Sequence, residues 1–189
     1  MKFKIIQTFN VILSIVLCLQ VSTFAQSKKS NEVTKNLKVY LNKVNAYGFS
    51  GQVLVSENGK IMLNQAYSFA HLKKTMPIKS DTKFYIASIT KQFTASAILK
   101  LEEQGKLKTT DFISKYFKNV PPDKAQITIH HLLTHTSGLA QNYTADGIIN
   151  RDEMTKAVLA EPLKNSIGEK FGYGNDGYSL LAAIVEIVS

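Results

Sequence analysis

The sequence predicts a mixed α/β domain of the α+β kind, a helical region joined to an antiparallel sheet of which one hairpin is legible, and three observations predict it. Apolar residues recur at helical spacing in several segments. Two β-branched, apolar runs flank the dipeptide Asn58-Gly59, the strongest short-range hairpin signal. The composition, 44% hydrophobic and 20% charged over 189 residues, is that of a chain able to bury a core and suits one domain or a large piece of one.

Residues 1–25 read as a secretory signal peptide. Lys2 and Lys4 give a positive start, residues 11–19 (VILSIVLCL) an apolar run, and Thr23-Phe24-Ala25 a small-x-small end. The run is shorter than the about 20 residues a membrane span needs, so no stable membrane anchor is expected after cleavage. A lipoprotein reading of Cys18 is disfavoured by Leu17 where a small residue belongs. Removing Lys2 and Lys4 takes the net charge from +9 to +7 and removes the single cysteine, which excludes thiolate chemistry and suits an oxidising compartment, periplasmic or secreted.

Residues 26–189 then form the expected domain, incomplete on this reading, with a helix and hairpin over 31–70 and a mainly helical part over 71–189. Val33, Leu37, Tyr40, Leu41 and Val44 predict an amphipathic helix over 32–46, closed by Gly48. Strands follow over 51–55 and 61–67. Pro77 and Ser80-Asp81 mark a loop. A long helix starts near Ser88 with Phe93, Ala97, Ile98 and Leu101 on one face and Gly105 at its end. After a short segment over 111–117 and the break at Pro121-Pro122, helices are expected over 127–133, 152–159 and 178–188, with an irregular glycine-rich stretch over 168–177 between the last two. Two strands alone are not stable, so further strands are expected outside this sequence.

A nucleic-acid partner is not expected. Arg151 is the one arginine among 23 basic residues and the lysines are scattered, a solvated surface rather than a dense basic stripe. No metal site is expected either: among His130, His131 and His135 the spacing H-x-x-x-H of His131 and His135 comes without the acidic partner of a metalloprotease motif. No cofactor is implied.

Two S-x-x-K tetrads occur. Ser80 to Lys83 lies in a polar loop, whereas Ser88-Ile89-Thr90-Lys91 opens an amphipathic helix. Residues three apart share a helix face, which brings an amine beside a hydroxyl. A serine hydroxyl is a weak nucleophile until a base takes its proton, and an amine can be that base. The spacing alone is also that of a helix whose serine is a plain cap. Tyr173-Gly174-Asn175 is a second element of this kind: glycines let the chain turn tightly and present a phenol and an amide into a cleft. Tyr40-Leu41-Asn42 has the same letters but sits in the first helix and is assigned to the core.

The blocks over 84–95 (FYIASITKQFTA), 98–107 (ILKLEEQGKL), 127–139 (ITIHHLLTHTSGL) and 171–184 (FGYGNDGYSLLAAI) together resemble the serine β-lactamase and penicillin-binding-protein superfamily, in particular the branch of class C β-lactamases, D,D-carboxypeptidases and related esterases. The resemblance covers most of 49–189 and implies a β-lactamase/transpeptidase-like fold. It also implies an exported serine hydrolase that forms an acyl-enzyme with an amide or ester: a β-lactam, a D-Ala peptide, peptidoglycan-derived, or a small ester. By it Ser88 is the nucleophile and Lys91 its base. Tyr173 relays a proton to the leaving group, Asn175 orients substrate and lysine, and the Ser88 amide is an oxyanion donor. The His135-Thr136-Ser137-Gly138-Leu139 turn resembles a family marker, structural rather than a Ser–His pair. The family's third motif, K-T-G or H-x-G on a later strand, has no counterpart: Lys170-Phe171-Gly172 abuts Tyr173 and cannot be a separate strand. The alternative expectation is therefore a truncated or non-catalytic homologue that binds a cell-envelope ligand or partner.

Overall fold

The computed structural model describes residues 31–71, 73, 75–140 and 143–189. The signal-peptide reading of residues 1–25, with Cys18, falls outside the described residues. The chain divides into two compact units, one ending at Phe84 and the other beginning at Tyr85.

In the first unit a helix, α1 (31–46), precedes two antiparallel strands, β1 (Gly51–Glu57) and β2 (Lys60–Tyr67). The helix stops because Gly48 takes φ +99°, outside the helical range. The strands pair from Gly51 opposite Tyr67 to Glu57 opposite Lys60, with one irregularity between Val55 and Ser56. Both turn residues are left-handed, Asn58 at φ 50° and Gly59 at φ 76°, as a two-residue hairpin turn matching the strand twist requires. Leu41, Leu63 and Tyr67 form the buried cluster, with Leu37, Phe49, Val53 and Val55 against it. Leu41 is thus core, but Tyr40 is not: it is 64% exposed, because only one residue of that consecutive pair can face the hairpin.

The second unit opens with a 3-10 turn, Ala87–Ile89, that runs into α2 (Thr90–Glu103). The α-helix therefore starts two residues after Ser88. Its cap position is Ile89, without a side-chain cap bond, so the plain-cap reading of Ser88 does not hold. Gly105 closes α2 at φ +70°: its N–H donates to Glu102 and that of Lys106 to Leu101, the paired bonds of a Schellman end. Ile98 and Leu101 are buried as expected, whereas Phe93 is 66% exposed.

Helix α3 (Ile129–Leu133) is shorter than the apolar run 127–133 suggests. Thr128 is extended and caps it, accepting from the His131 N–H while the His131 ring accepts from the Thr128 N–H. Helix α4 (Arg151–Ala160) is capped by Asn150, whose amide oxygen accepts from the N–H groups of Asp152 and Glu153 at 3.0 Å each. Helix α5 (Asp176–Val188) begins two residues earlier than expected. It buries Gly177, Leu180, Leu181 and Ile184, the i, i+3, i+4, i+7 stripe of a core helix, and packs against α2, α3 and α4. Each of its large aliphatic side chains contributes roughly 2 kcal/mol by burial. Among the described residues no helix is long and apolar enough to cross a membrane.

The loop before α3 holds an acid-sensitive anchor. Asp111 accepts from the Lys108 N–H at 2.8 Å, Lys115 Nζ at 2.7 Å and the Tyr116 hydroxyl at 2.6 Å. Burial alone would raise this carboxyl; the bonds from Lys115, Tyr116 and Lys108, with the Lys115 charge, outweigh it and hold it at about 2 against an ordinary 3.8. The unfolded chain takes up this proton first. Stabilisation by Asp111 is therefore complete above about pH 4 and is lost as pH falls toward about 2. Asp111→Asn removes it: the melting-temperature gap between wild type and variant narrows between those limits in thermal unfolding.

Candidate active site

Ser88 stands on the 3-10 turn, directly after a residue in a costly conformation. Ala87 has φ +45°, a region alanine avoids by roughly 1 kcal/mol or more. Such strain persists only where surrounding structure imposes it, and it gathers at functional sites. The turn leaves Ser88 exposed at the head of α2, while Lys91, one turn on, is half-buried.

The described residues bring all four sequence-predicted side chains together. Lys91 Nζ lies 3.4 Å from Ser88 Oγ and donates to Asn175 Oδ1 at 2.7 Å. The Tyr173 hydroxyl donates to the same Ser88 oxygen at 2.7 Å. Lys91 Nζ also lies 5.0 Å from the ring centre of Tyr173 and 5.6 Å from that of Tyr178, within cation–π range of both. The Ser88 hydroxyl and then the Lys91 amine, as hydrogen-bond partners, draw the Tyr173 phenol below its ordinary range. Burial, followed by the neighbouring Tyr173, moves the Tyr178 phenol the other way. Two tyrosines five residues apart are thus separated, one eased toward ionisation and one kept neutral. The neutral one donates from its hydroxyl to the Leu133 carbonyl at 3.1 Å.

The loop carrying Tyr173 is fixed from behind. The amides of Lys164, Gly168 and Gly172 each donate at 2.8 Å to the carbonyls of Gly138, Thr136 and His135. The His135-Thr136-Ser137-Gly138-Leu139 turn is therefore the seat of the segment ending at Tyr173. Ser137 is buried and its hydroxyl accepts from the Leu139 N–H at 3.4 Å, an internal turn bond. On the other side of Asn175, Asp176 is 2% exposed and accepts from the Ala145 N–H at 3.0 Å. Burial raises this carboxyl in spite of that bond.

Two participants were not among the sequence-predicted set. Tyr178 follows Asn175 by three residues, so the spacing Y-x-N-x-x-Y was a usable signal: a helix beginning at Asn175 puts both on one face. His135 lies 38 residues before Tyr173 in sequence, and no local signal relates them. Among the described residues no group of three or more His, Cys, Asp or Glu could hold a metal ion. A cavity of about 690 Å³ lies elsewhere in this unit, lined by Phe117, Arg151, Thr155, Leu159 and Ile187 among others, and includes none of the four residues around Ser88.

The family model described as Beta-lactamase matches residues 41–189. The Bacillus subtilis (strain 168) protein PbpX, whose name assigns it provisionally to the penicillin-binding proteins, is 37% identical over 169 residues, 86% of this chain and 42% of its own length. Among solved structures, FmtA from Staphylococcus aureus superposes with a TM-score of 0.71 at 29% identity, over 82% of this chain and 43% of that one. A penicillin-binding protein from Bacillus halodurans gives 0.64 at 32% identity, over 76% and 46%. The chain thus spans less than half the length of these relatives. The mixed α/β architecture, the four assembled side chains and the match over 41–189 agree: the chain belongs to the β-lactamase family, whose members here are β-lactamase- and penicillin-binding-protein-like serine hydrolases.

Proposed function

We propose that the chain is the nucleophile-bearing part of an exported, periplasmic or secreted serine hydrolase that works through an acyl-enzyme. The observation that supports this most is one oxygen with two partners: Ser88 Oγ, with Lys91 Nζ at 3.4 Å and the Tyr173 hydroxyl at 2.7 Å. In this reading the resting Lys91 ammonium first gives a proton to solvent; Ser88 Oγ then attacks a carbonyl carbon and its proton passes to the uncharged Lys91 amine. The carbonyl electron pair moves to the oxygen, which the Ser88 backbone N–H helps to stabilise. Collapse expels the amine or alcohol, which takes a proton from the Tyr173 hydroxyl. The phenolate regains one from the Lys91 ammonium. Water then attacks the ester, loses its proton to the same relay, and Ser88 is released as the alcohol. Asn175, accepting from Lys91 at 2.7 Å, holds the amine toward the serine. The substrate is an amide or ester of small-molecule or peptide size: a β-lactam, a peptidoglycan-derived D-Ala peptide or a small ester. The penicillin-binding names of PbpX and of the Bacillus halodurans protein support the cell-wall side of that range.

The test is where an acyl group lands. The full-length protein is treated with a β-lactam and, separately, with a p-nitrophenyl ester, quenched, digested and mapped by mass spectrometry. An adduct on the peptide carrying Ser88, released by hydroxylamine, is expected. Adducts at other serines, or none from either reagent or from a D-Ala-D-Ala peptide, overturn the reading in favour of a non-catalytic binding module.

A further inference from the structure

The imidazole of His135 is half-buried within the aromatic side chains behind Ser88. Its ring centre lies 4.6 Å from that of Tyr173, 5.1 Å from Tyr178 and 5.7 Å from Phe171. Its backbone is bound into the same place: His135 sits at φ +57°, a conformation histidine tolerates better than most residues, and its carbonyl accepts from the Gly172 N–H at 2.8 Å. One residue therefore holds the Tyr173 segment twice, by main chain just before the tyrosine and by ring against the phenol. The two tyrosines it touches are also the two whose rings face Lys91 Nζ.

We propose that His135 is a positioning residue for the Tyr173 phenol: its uncharged ring, packed at a tilt against Tyr173 and Tyr178, keeps the phenol oxygen on Ser88 Oγ, and a charge on that ring displaces the Lys91 amine from the same two tyrosines. The role rests on Ser88 being the nucleophile. The titratable groups facing His135 are Lys91 from α2, Tyr173 from the loop and Tyr178 from α5; α3, which precedes it, brings His130 and His131, whose rings meet each other at 6.5 Å. Among the described residues, the charge that acts on it is that of Lys91. Burial and then the Lys91 charge both lower the imidazole from its ordinary 6.5, so the ring is neutral at physiological pH and becomes charged only on acidification. A cation there meets the Lys91 cation, and like charges disfavour one another.

The test pairs kinetics with a measurement that needs no turnover. In single-turnover acylation of Ser88 across roughly pH 5 to 8, His135→Asn, which keeps the left-handed backbone but removes the ring, lowers the acylation rate constant about 10-fold with little change in reagent affinity. His135→Phe, which keeps an aromatic ring but lacks histidine's tolerance of the left-handed backbone, restores part of that loss and flattens the acid limb of the profile. In parallel, the His135 Cε1–H signal is titrated by NMR in wild type and in Lys91→Met, where loss of the neighbouring charge raises the midpoint, and the Tyr173 ring signals shift with the same midpoint. A His135 midpoint at or above 6.5 that ignores Lys91→Met, or Tyr173 signals that ignore His135 titration, overturns the inference even where acylation maps to Ser88. Unaltered rates and acid limb in both variants do the same. Absence of any Ser88 adduct refutes the hydrolase reading, while the NMR coupling alone then decides whether His135 governs Tyr173.

Discussion

Lys91→Met lowers the rate of Ser88 acylation about 10³-fold, equivalent to about 4 kcal/mol of barrier. Methionine keeps most of the methylene stem, so α2 and its packing survive while the amine is lost. Among the described residues that amine is the side-chain nitrogen bonded to Ser88 Oγ, at 3.4 Å, and the group to which Asn175 Oδ1 is committed at 2.7 Å. Without it the serine proton has one exit left, the Tyr173 hydroxyl at 2.7 Å. The phenol is drawn below its ordinary range partly by Lys91 itself, so the substitution also takes away part of what readies that exit. Reagent affinity changes far less than the rate, because Lys91 contacts the nucleophile and Asn175. Single-turnover labelling of Lys91→Met beside Tyr173→Phe separates the roles. A Lys91→Met rate within ten-fold of wild type, with a collapse in Tyr173→Phe, would make the phenolate the base and remove Lys91 from that role. Lys91→Arg behaves like the methionine variant, since a guanidinium cannot give up its proton in a protein.

What was legible in the sequence follows from how far apart the partners are. The hairpin was readable because its information is local: Asn58 and Gly59 must both adopt positive φ, and few other pairs do so cheaply. The Ser88–Lys91 pair was readable for the same reason, three residues on one helical face. The exact start of α2 was not, because neither the 3-10 turn nor the positive φ at Ala87 has a local signal in apolar spacing or turn residues. Tyr173 and Asn175 meet Ser88 and Lys91 across separations of 85 and 84 residues, which no periodicity encodes; family resemblance placed them. From sequence alone the His135 turn reads only as a structural marker. That reading is right about its backbone, which seats the Tyr173 loop, and incomplete about its ring, which touches the phenol.

The strength of that seat is measured by Gly138. At φ +76° any side chain is strained, and a Cβ there would overlap the carbonyl oxygen of Asn165. The obstacle is backbone, so it cannot rotate away, and the neighbouring Lys164 N–H is already donated to the Gly138 carbonyl at 2.8 Å. Gly138→Ala therefore carries the left-handed penalty of about 1 kcal/mol and, on top of it, about 2 kcal/mol of overpacking. Gly147 separates the two costs: it has nearly the same backbone, φ +81°, with nothing within 4 Å of an added Cβ. Urea unfolding should show Gly147→Ala destabilised by about 1 kcal/mol and Gly138→Ala by about 3 kcal/mol. The folded fraction of Gly138→Ala should also acylate more slowly, because relieving the overlap moves the segment that ends at Tyr173, whereas Gly147→Ala should not slow acylation. Equal destabilisation of the two variants, with acylation intact in both, would mean that the turn and the 164–172 segment can part without disturbing the phenol. The Tyr173 oxygen would then be held at Ser88 by its own hydrogen bond and not by the marker turn.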